Sequence, residues 1–409
     1  MVFASSIKDV IIRLFLGSGT TEERVMDLSI GDGVLWAIYS SLTQQYVIPL
    51  AIFLFGTVAP VGFITGIPLL AVPFSQLSAY WILKKIDNLK VVTIITTFLD
   101  RLPWLLIAIL ILFRPAYFLY IFIALLIIRA FFASLSGTTW TLWVPGLISE
   151  EKRDRYFSVR NMAMRASGLI GYFIAMLVFI FIKFHGFDYF TIFTVSFLFS
   201  SASIAIMKKI PEAKTNDVKI TSKKTYTSQK FFILLFTVSI FALGYNFSQP
   251  YILLFILGKD YLNSSSIIYT FLLIAGSLVF IASQKLGYNL ISRYGYGKSL
   301  LISSIILSMT VFAWIFVRNI IEAMILFSLS SIPVSVYSLS GFNFVVSGSG
   351  GEGRVKRTSL YTLFNSISTA VGPIIANLVY VKVENILDIF LISSAILMVA
   401  AVSSWLNNK

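Results

Sequence analysis

Cysteine is absent from all 409 residues, so the chain builds no disulfide, no thiolate nucleophile and no cysteine-based metal site. Histidine occurs once, at His185 in KFHGFDY, and no nucleophile–base pair or metal cluster can be read around it. These absences argue against an enzyme and leave no cofactor or metal to expect. Acidic residues are few, 18 Asp and Glu against 32 Lys and Arg. No Gly-rich Lys-Ser/Thr phosphate loop is present, so nucleotide hydrolysis is not this chain's energy source.

What is present in excess is apolar. The chain is 57% hydrophobic, 15% aromatic and only 12% charged, with a mean hydropathy of +0.88. A water-soluble domain of this length has no use for so much apolar surface, so the surrounding solvent must itself be apolar. The net charge of +14 does not point to nucleic acid, because the basic residues sit in short stretches between apolar runs. The partners implied are a lipid bilayer and a small-molecule substrate.

A hydrocarbon core of ~30 Å needs ~20 apolar residues per helix. Twelve runs fit, from 31–55 through 161–182 and 231–257 to 386–406. Ahead of them Ile7, Val10, Ile11, Leu14 and Phe15 fall at helical spacing, with Lys8, Asp9 and Arg13 opposite. This predicts an interfacial amphipathic helix rather than a cleavable signal. Lys and Arg concentrate in alternate connections, which places those connections and both termini in the cytoplasm of a cell-membrane protein. The most charged is SEEKRDRYFSVRN (149–161), expected as the loop between the fourth and fifth spans.

That stretch has an echo. Glu151, Arg153 and Arg155 match Glu352, Arg354 and Lys356 at an offset of 201, and at the same offset SGLIGYFIAMLV (167–178) aligns with STAVGPIIANLV (368–379). TQQYVIPL (43–50) likewise resembles SQPYILLF (248–255). The fold class predicted is an all-α membrane protein: twelve transmembrane helices as two six-helix pseudo-symmetric halves, 1–207 and 231–409, joined by a polar, lysine-rich linker at 208–230.

Six plus six spans, a basic central linker and charged connections after spans 2, 4, 8 and 10 resemble the major facilitator superfamily, over the whole chain. WTLWVPGLISEEKRDRYFSVRN (140–161) is similar to a group of prokaryotic facilitators. The superfamily's acidic–basic loop signature is degenerate: ILKKIDNLK has no glycine, and SRYGYGK keeps Arg293, Gly295 and Lys298 but has Ser292 in place of the acid. The resemblance implies alternating access, with spans 1, 4, 7 and 10 around a cavity. It also implies that spans 2 and 11, and 5 and 8, meet across the halves.

A charge inside a bilayer costs roughly 2.5–3.5 kcal/mol, so each one is a functional candidate. Asp32, Asp100, Arg101, Arg129 and Arg165 qualify, and similar depth pairs Asp32 with Arg165 and Asp100 with Arg129. Polar stripes add Trp36, Tyr39 and Thr43 in span 1, Ser136 and Trp140 in span 4, Asn246 and Gln249 in span 7, and Ser335, Ser338 and Asn343 in span 10. The serines also suit close helix packing, as do Gly62 and Gly66, the Ser167–Gly171–Ala175 series and the Ser368–Gly372–Ala376 series. Glu151, Arg153, Arg155, Arg293, Glu352, Arg354 and Lys356 are candidates for gating contacts. Of these residues Arg129 suits an anionic substrate, since its planar donor fork matches a carboxylate or phosphate. The function expected is secondary transport of a small solute by a monomer, with protons as candidate coupling ion through Asp32 and Asp100. A non-transporting membrane sensor or scaffold is the alternative.

Overall fold

The computed structural model describes residues 20–56, 60–86, 88–183, 186–212, 229–347 and 351–406. The predicted amphipathic helix, His185 and most of the linker lie outside them. In chain order the helices are α1 Thr21–Thr43, α2 Val47–Phe55, α3 Val61–Leu69, α4 Ala71–Lys85, α5 Leu89–Phe113, α6 Phe118–Trp143 and α7 Glu150–Phe181. They continue with α8 Phe187–Met207, α9 Gln229–Leu257, α10 Ser266–Ala313, α11 Ile320–Ser347, α12 Gly351–Val383 and α13 Ile386–Leu406. Among the described residues, eleven helical stretches are long and apolar enough to cross a membrane. One of them, Ser266–Phe316, has 51 residues. At 1.5 Å per residue that is roughly 77 Å, enough for two crossings. Gly295 breaks it with φ 76 and ψ 172, a backbone setting open mainly to glycine. Twelve crossings are thereby accounted for.

The charged stretch at 149–161 is not a loop. It forms the first three turns of α7, which runs unbroken for 32 residues. No glycine or proline falls in it before Gly168, and Glu150 and Glu151 lie in its first turn, where the helix dipole favours acids. Its echo is likewise helical, within the 33 residues of α12. Helix α1 also starts earlier than its apolar run, at a capping box in which Thr20 and Glu23 satisfy each other's backbone N–H groups.

The chain divides into two compact units, one spanning Met1–Tyr46 and Phe74–Ile220, the other Val47–Pro73 and Thr221–Lys409, each described over the residues given above. In the first, α1 packs on α7 and α8, and α5 on α6 and α8. In the second, α9 packs on α12 and α13, and α10 on α11 and α13. The pairing order repeats, as the sequence echo implies. The small residues explain the closest approaches. A Cβ on Gly171 would lie 2.8 Å from Ser41 Cβ and 2.9 Å from Ile38 O, both on α1. On Gly372, its counterpart, it would lie 2.6 Å from Leu243 O on α9. These two glycines therefore pack inside their own unit, and the expected role of the Gly171 stripe between halves is corrected. Gly62 and Gly66 of α3 do meet α12: added Cβ atoms there would lie 2.2 Å from Pro373 O and 2.6 Å from Ala370 O.

Candidate functional site

Five ionisable side chains gather in the first unit around a cavity of about 240 Å³. Asp32 comes from α1, Asp100 and Arg101 from α5, Arg129 from α6 and Arg160 from α7. Trp36, Trp140, Met164 and Met207 add apolar wall, and Thr97 and Ser136, hydrogen bonded to each other, add polar wall. The site exists because four helices each carry one or two charges on the face turned to the others. Asp32, Asp100 and Arg101 are 3%, 5% and 2% exposed, so their charges must be answered by neighbours rather than water.

Two linked sets of contacts do this. In the first, Asp100 Oδ1 lies 3.2 Å from Arg129 Nε, an ion pair without the alignment of a hydrogen bond. Beside it Trp104 Nε1 donates to Tyr39 Oη at 2.8 Å, and the Arg129 guanidinium lies 5.6 Å from the Trp104 ring. In the second, Arg101 Nη1 donates to Ser203 Oγ at 3.0 Å and to the Ser200 carbonyl, while Ser203 donates to Asp32. Arg160 Nη2 completes this set, 3.9 Å from Asp32 Oδ2. Its Nε donates to Ser29 O at 3.3 Å, and its guanidinium lies 4.1 Å from the Trp140 ring, a cation–π distance.

The expected Asp100–Arg129 pair is present. The expected Asp32–Arg165 pair is not: the ion-pair partner of Asp32 is Arg160, and Arg165 lies on an exposed part of α7 outside the cavity lining. The reason is the early start of α7. It carries Arg160, read from sequence as a loop charge, onto the face beside Gly33, where a Cβ would come within 3.1 Å of Arg160 Nε.

Seven sequence candidates line the cavity: Asp32, Trp36, Asp100, Arg101, Arg129, Ser136 and Trp140. Tyr39 is fully buried behind it, and Thr43 bonds back to Tyr39 O at 2.9 Å, a contact within its own helix. In the second unit Asn246 Nδ2 donates to Ala242 O at 2.7 Å, again within its helix, and Gln249 is half-buried. Ser335 accepts from Gln284 Nε2 at 2.8 Å and Ser338 donates to Ser335 O at 2.9 Å, so both serve α10–α11 packing and the turn of α11. Glu151, Arg155 and Arg293 are exposed, while Arg153 Nε donates to Pro145 O and Ile148 O, each at 3.0 Å. The side chains of Asn343, Glu352, Arg354 and Lys356 lie outside the described residues. Sequence reasoning missed Arg160 and Ser203. Arg160 was legible from the absence of any helix breaker between Glu150 and Ala166; a lone serine in α8 gave no comparable signal.

Against known proteins, the family model described as Major Facilitator Superfamily matches residues 28–373. No curated protein matches the chain. Solved structures do. The nucleoside transporter NupG aligns with a TM-score of 0.70 at 14% identity, covering 96% of this chain and 100% of that one. A bacterial homologue of the iron transporter ferroportin, in an inward-facing state, aligns with a TM-score of 0.73 at 15% identity over 94% and 99% of the two chains. A POT family transporter in complex with 5-aminolevulinic acid gives 0.70 at 10% identity over 91% and 94%. At such identities the likeness shows the fold.

Proposed function

The chain belongs to the Major Facilitator Superfamily and is a multi-pass membrane transporter; on that footing we propose that it moves a small solute by alternating access, driven by an ion or solute gradient. The observation that carries this reading is the cavity of the first unit, where five ionisable side chains lie among membrane-crossing helices. A structural scaffold has little reason to keep so many buried charges beside open space, since well-packed apolar residues would serve stability as well or better. A substrate site does have reason, because polar groups fixed by their neighbours select and orient a solute. Protons are the coupling ion that the residues suggest. Asp32 and Asp100 both touch the cavity, and neutralising either one changes the charge presented to the solute.

The Lys and Arg bias supports a cell-membrane protein with both termini in the cytoplasm. Glu151 and Arg155, with Glu352 and Lys356, are proposed as a charge network at the cytoplasmic ends of the halves. Single exposed pairs contribute only about 0–1 kcal/mol, so the network acts collectively. The test of alternating access is a spin-label distance between positions 155 and 293. Two distance populations are expected, with their ratio shifted by reversing the charge at Lys356. One narrow population, unmoved by the reversal, speaks for a scaffold.

A further inference from the structure

The cavity has a surplus of donors and of positive charge. Three guanidinium groups, Arg101, Arg129 and Arg160, face two carboxylates, Asp32 and Asp100. With both carboxylates ionised the set carries a net charge of about +1, in a place where an unmatched charge is costly. Hydrogen bonding is unbalanced in the same direction. Arg101 Nε, Arg129 Nε and Trp140 Nε1 are buried without a hydrogen-bond acceptor. The acceptor among the cavity residues that lacks a donor is Asp100 Oδ1, already at ion-pair distance from Arg129. Arg101 itself is 2% exposed, so water does not meet this demand from bulk. Every open demand beyond that pair is for an acceptor, and a monoanion satisfies charge and hydrogen bonding together.

The apolar lining sets the rest of the ligand. Trp36, Trp140 and Met164 are large, polarisable and apolar, and Gly137 and Ala133 leave room between α6 and the cavity. We propose that the cavity binds a small organic anion, its acidic head between Arg129 and Arg160 and its apolar body against Trp36 and Trp140. This inference rests on the reading of the cavity as the transport site and names the class of substrate. Binding neutralises the surplus charge, and the head competes with Asp100 for Arg129. Uptake of the anion therefore loosens the Asp100–Arg129 pair.

The test uses matched small molecules on the purified full chain. Benzoate, benzyl alcohol and benzylammonium share a body and differ in charge, and phenylphosphonate carries a second acidic head. In detergent, thermal unfolding and tryptophan quenching are read against ligand concentration. An anion, benzoate or phenylphosphonate, is expected to raise the unfolding temperature and to half-saturate at least tenfold below the alcohol or the ammonium. Arg129→Lys keeps the charge, loses the fork and should weaken anion binding about tenfold. Gly137→Leu serves if Arg129→Lys fails to fold. A Cβ at Gly137 meets nothing within 4 Å, so the leucine starts into the open space of the cavity; that variant should unfold no more readily than wild type and lose the anion effect. Equal or stronger effects of benzylammonium or benzyl alcohol, no effect of either anion up to millimolar concentration, or unchanged anion binding in Gly137→Leu each overturn the proposal. Because binding is read without a membrane, its failure leaves the transport reading standing. Conversely, an anion that binds in a cavity reachable from one side of the membrane alone sinks transport and keeps the anion site.

Discussion

Asp100 and Arg129 meet at 3.2 Å with side chains 6% and 18% exposed, and removing one partner strands the other in low dielectric. Breaking such a pair typically costs about 3–5 kcal/mol, whereas replacing both partners by apolar residues of similar size is often close to neutral. Asp100→Leu is thus expected to destabilise the chain by about 3 kcal/mol in mixed-micelle unfolding, and the double variant with Arg129→Leu by much less. A double variant as unstable as the single one contradicts the ion-pair account. Both residues were legible in the sequence, because a lone charge in an apolar run has few neutral explanations. Arg160 gave a weaker signal, since it stands among other charges and only the unbroken run after Glu150 tells that α7 begins early enough to carry it into the cavity. Ser203, which joins Arg101 to Asp32, was hidden by the abundance of serines that only bond back to their own helix turn.

Helix packing is where the sequence spoke clearly and was still misread in part. The repeat at an offset of 201 correctly pairs Gly171 with Gly372, and the structure gives both the same task, close approach to α1 and to α9. Spacing alone shows that a helix face is small, not which neighbour it receives. An added methyl at Gly171 meets Ile38 O and Ser41 Cβ inside 3 Å, so backbone must shift. Gly171→Ala should cost about 1–3 kcal/mol, as overpacking does. Gly137→Ala, with open space around the new methyl, should gain about 0.5–1 kcal/mol from helix propensity. Unfolding of the two variants side by side checks the sign of each. A second element-level contact joins α1 to the start of α7. Glu22 accepts from the Ser149 N–H at 2.7 Å, the Ser149 hydroxyl at 2.6 Å and Lys152 Nζ at 2.9 Å. It thereby occupies the helix N-terminus that Ser149 leaves uncapped by its own side chain. Glu22→Ala should speed hydrogen exchange of the amides at 149–153 and leave those of α5 unchanged; equal exchange in both forms counts against this clasp.

At the scale of the whole molecule, the apolar runs were enough to read an all-α membrane fold, because bilayer physics allows few alternatives to helices of ~20 apolar residues. The cysteine-free chain makes topology directly measurable. Single cysteines at positions 155 and 293 should react with an impermeant thiol reagent from the cytoplasmic side, and those at 114 and 318 from the opposite side. The central claim is that the cavity of the first unit is the path of a transported solute, which requires that each side of the membrane reach it in turn. Gly137 lines that cavity and tolerates a side chain, so Gly137→Cys places a reporter on the path. In sealed right-side-out and inside-out vesicles, the impermeant reagent should modify this position from both sides, and more slowly when benzoate or phenylphosphonate is present. Modification from one side alone, at any time and with or without anion, contradicts alternating access through this cavity.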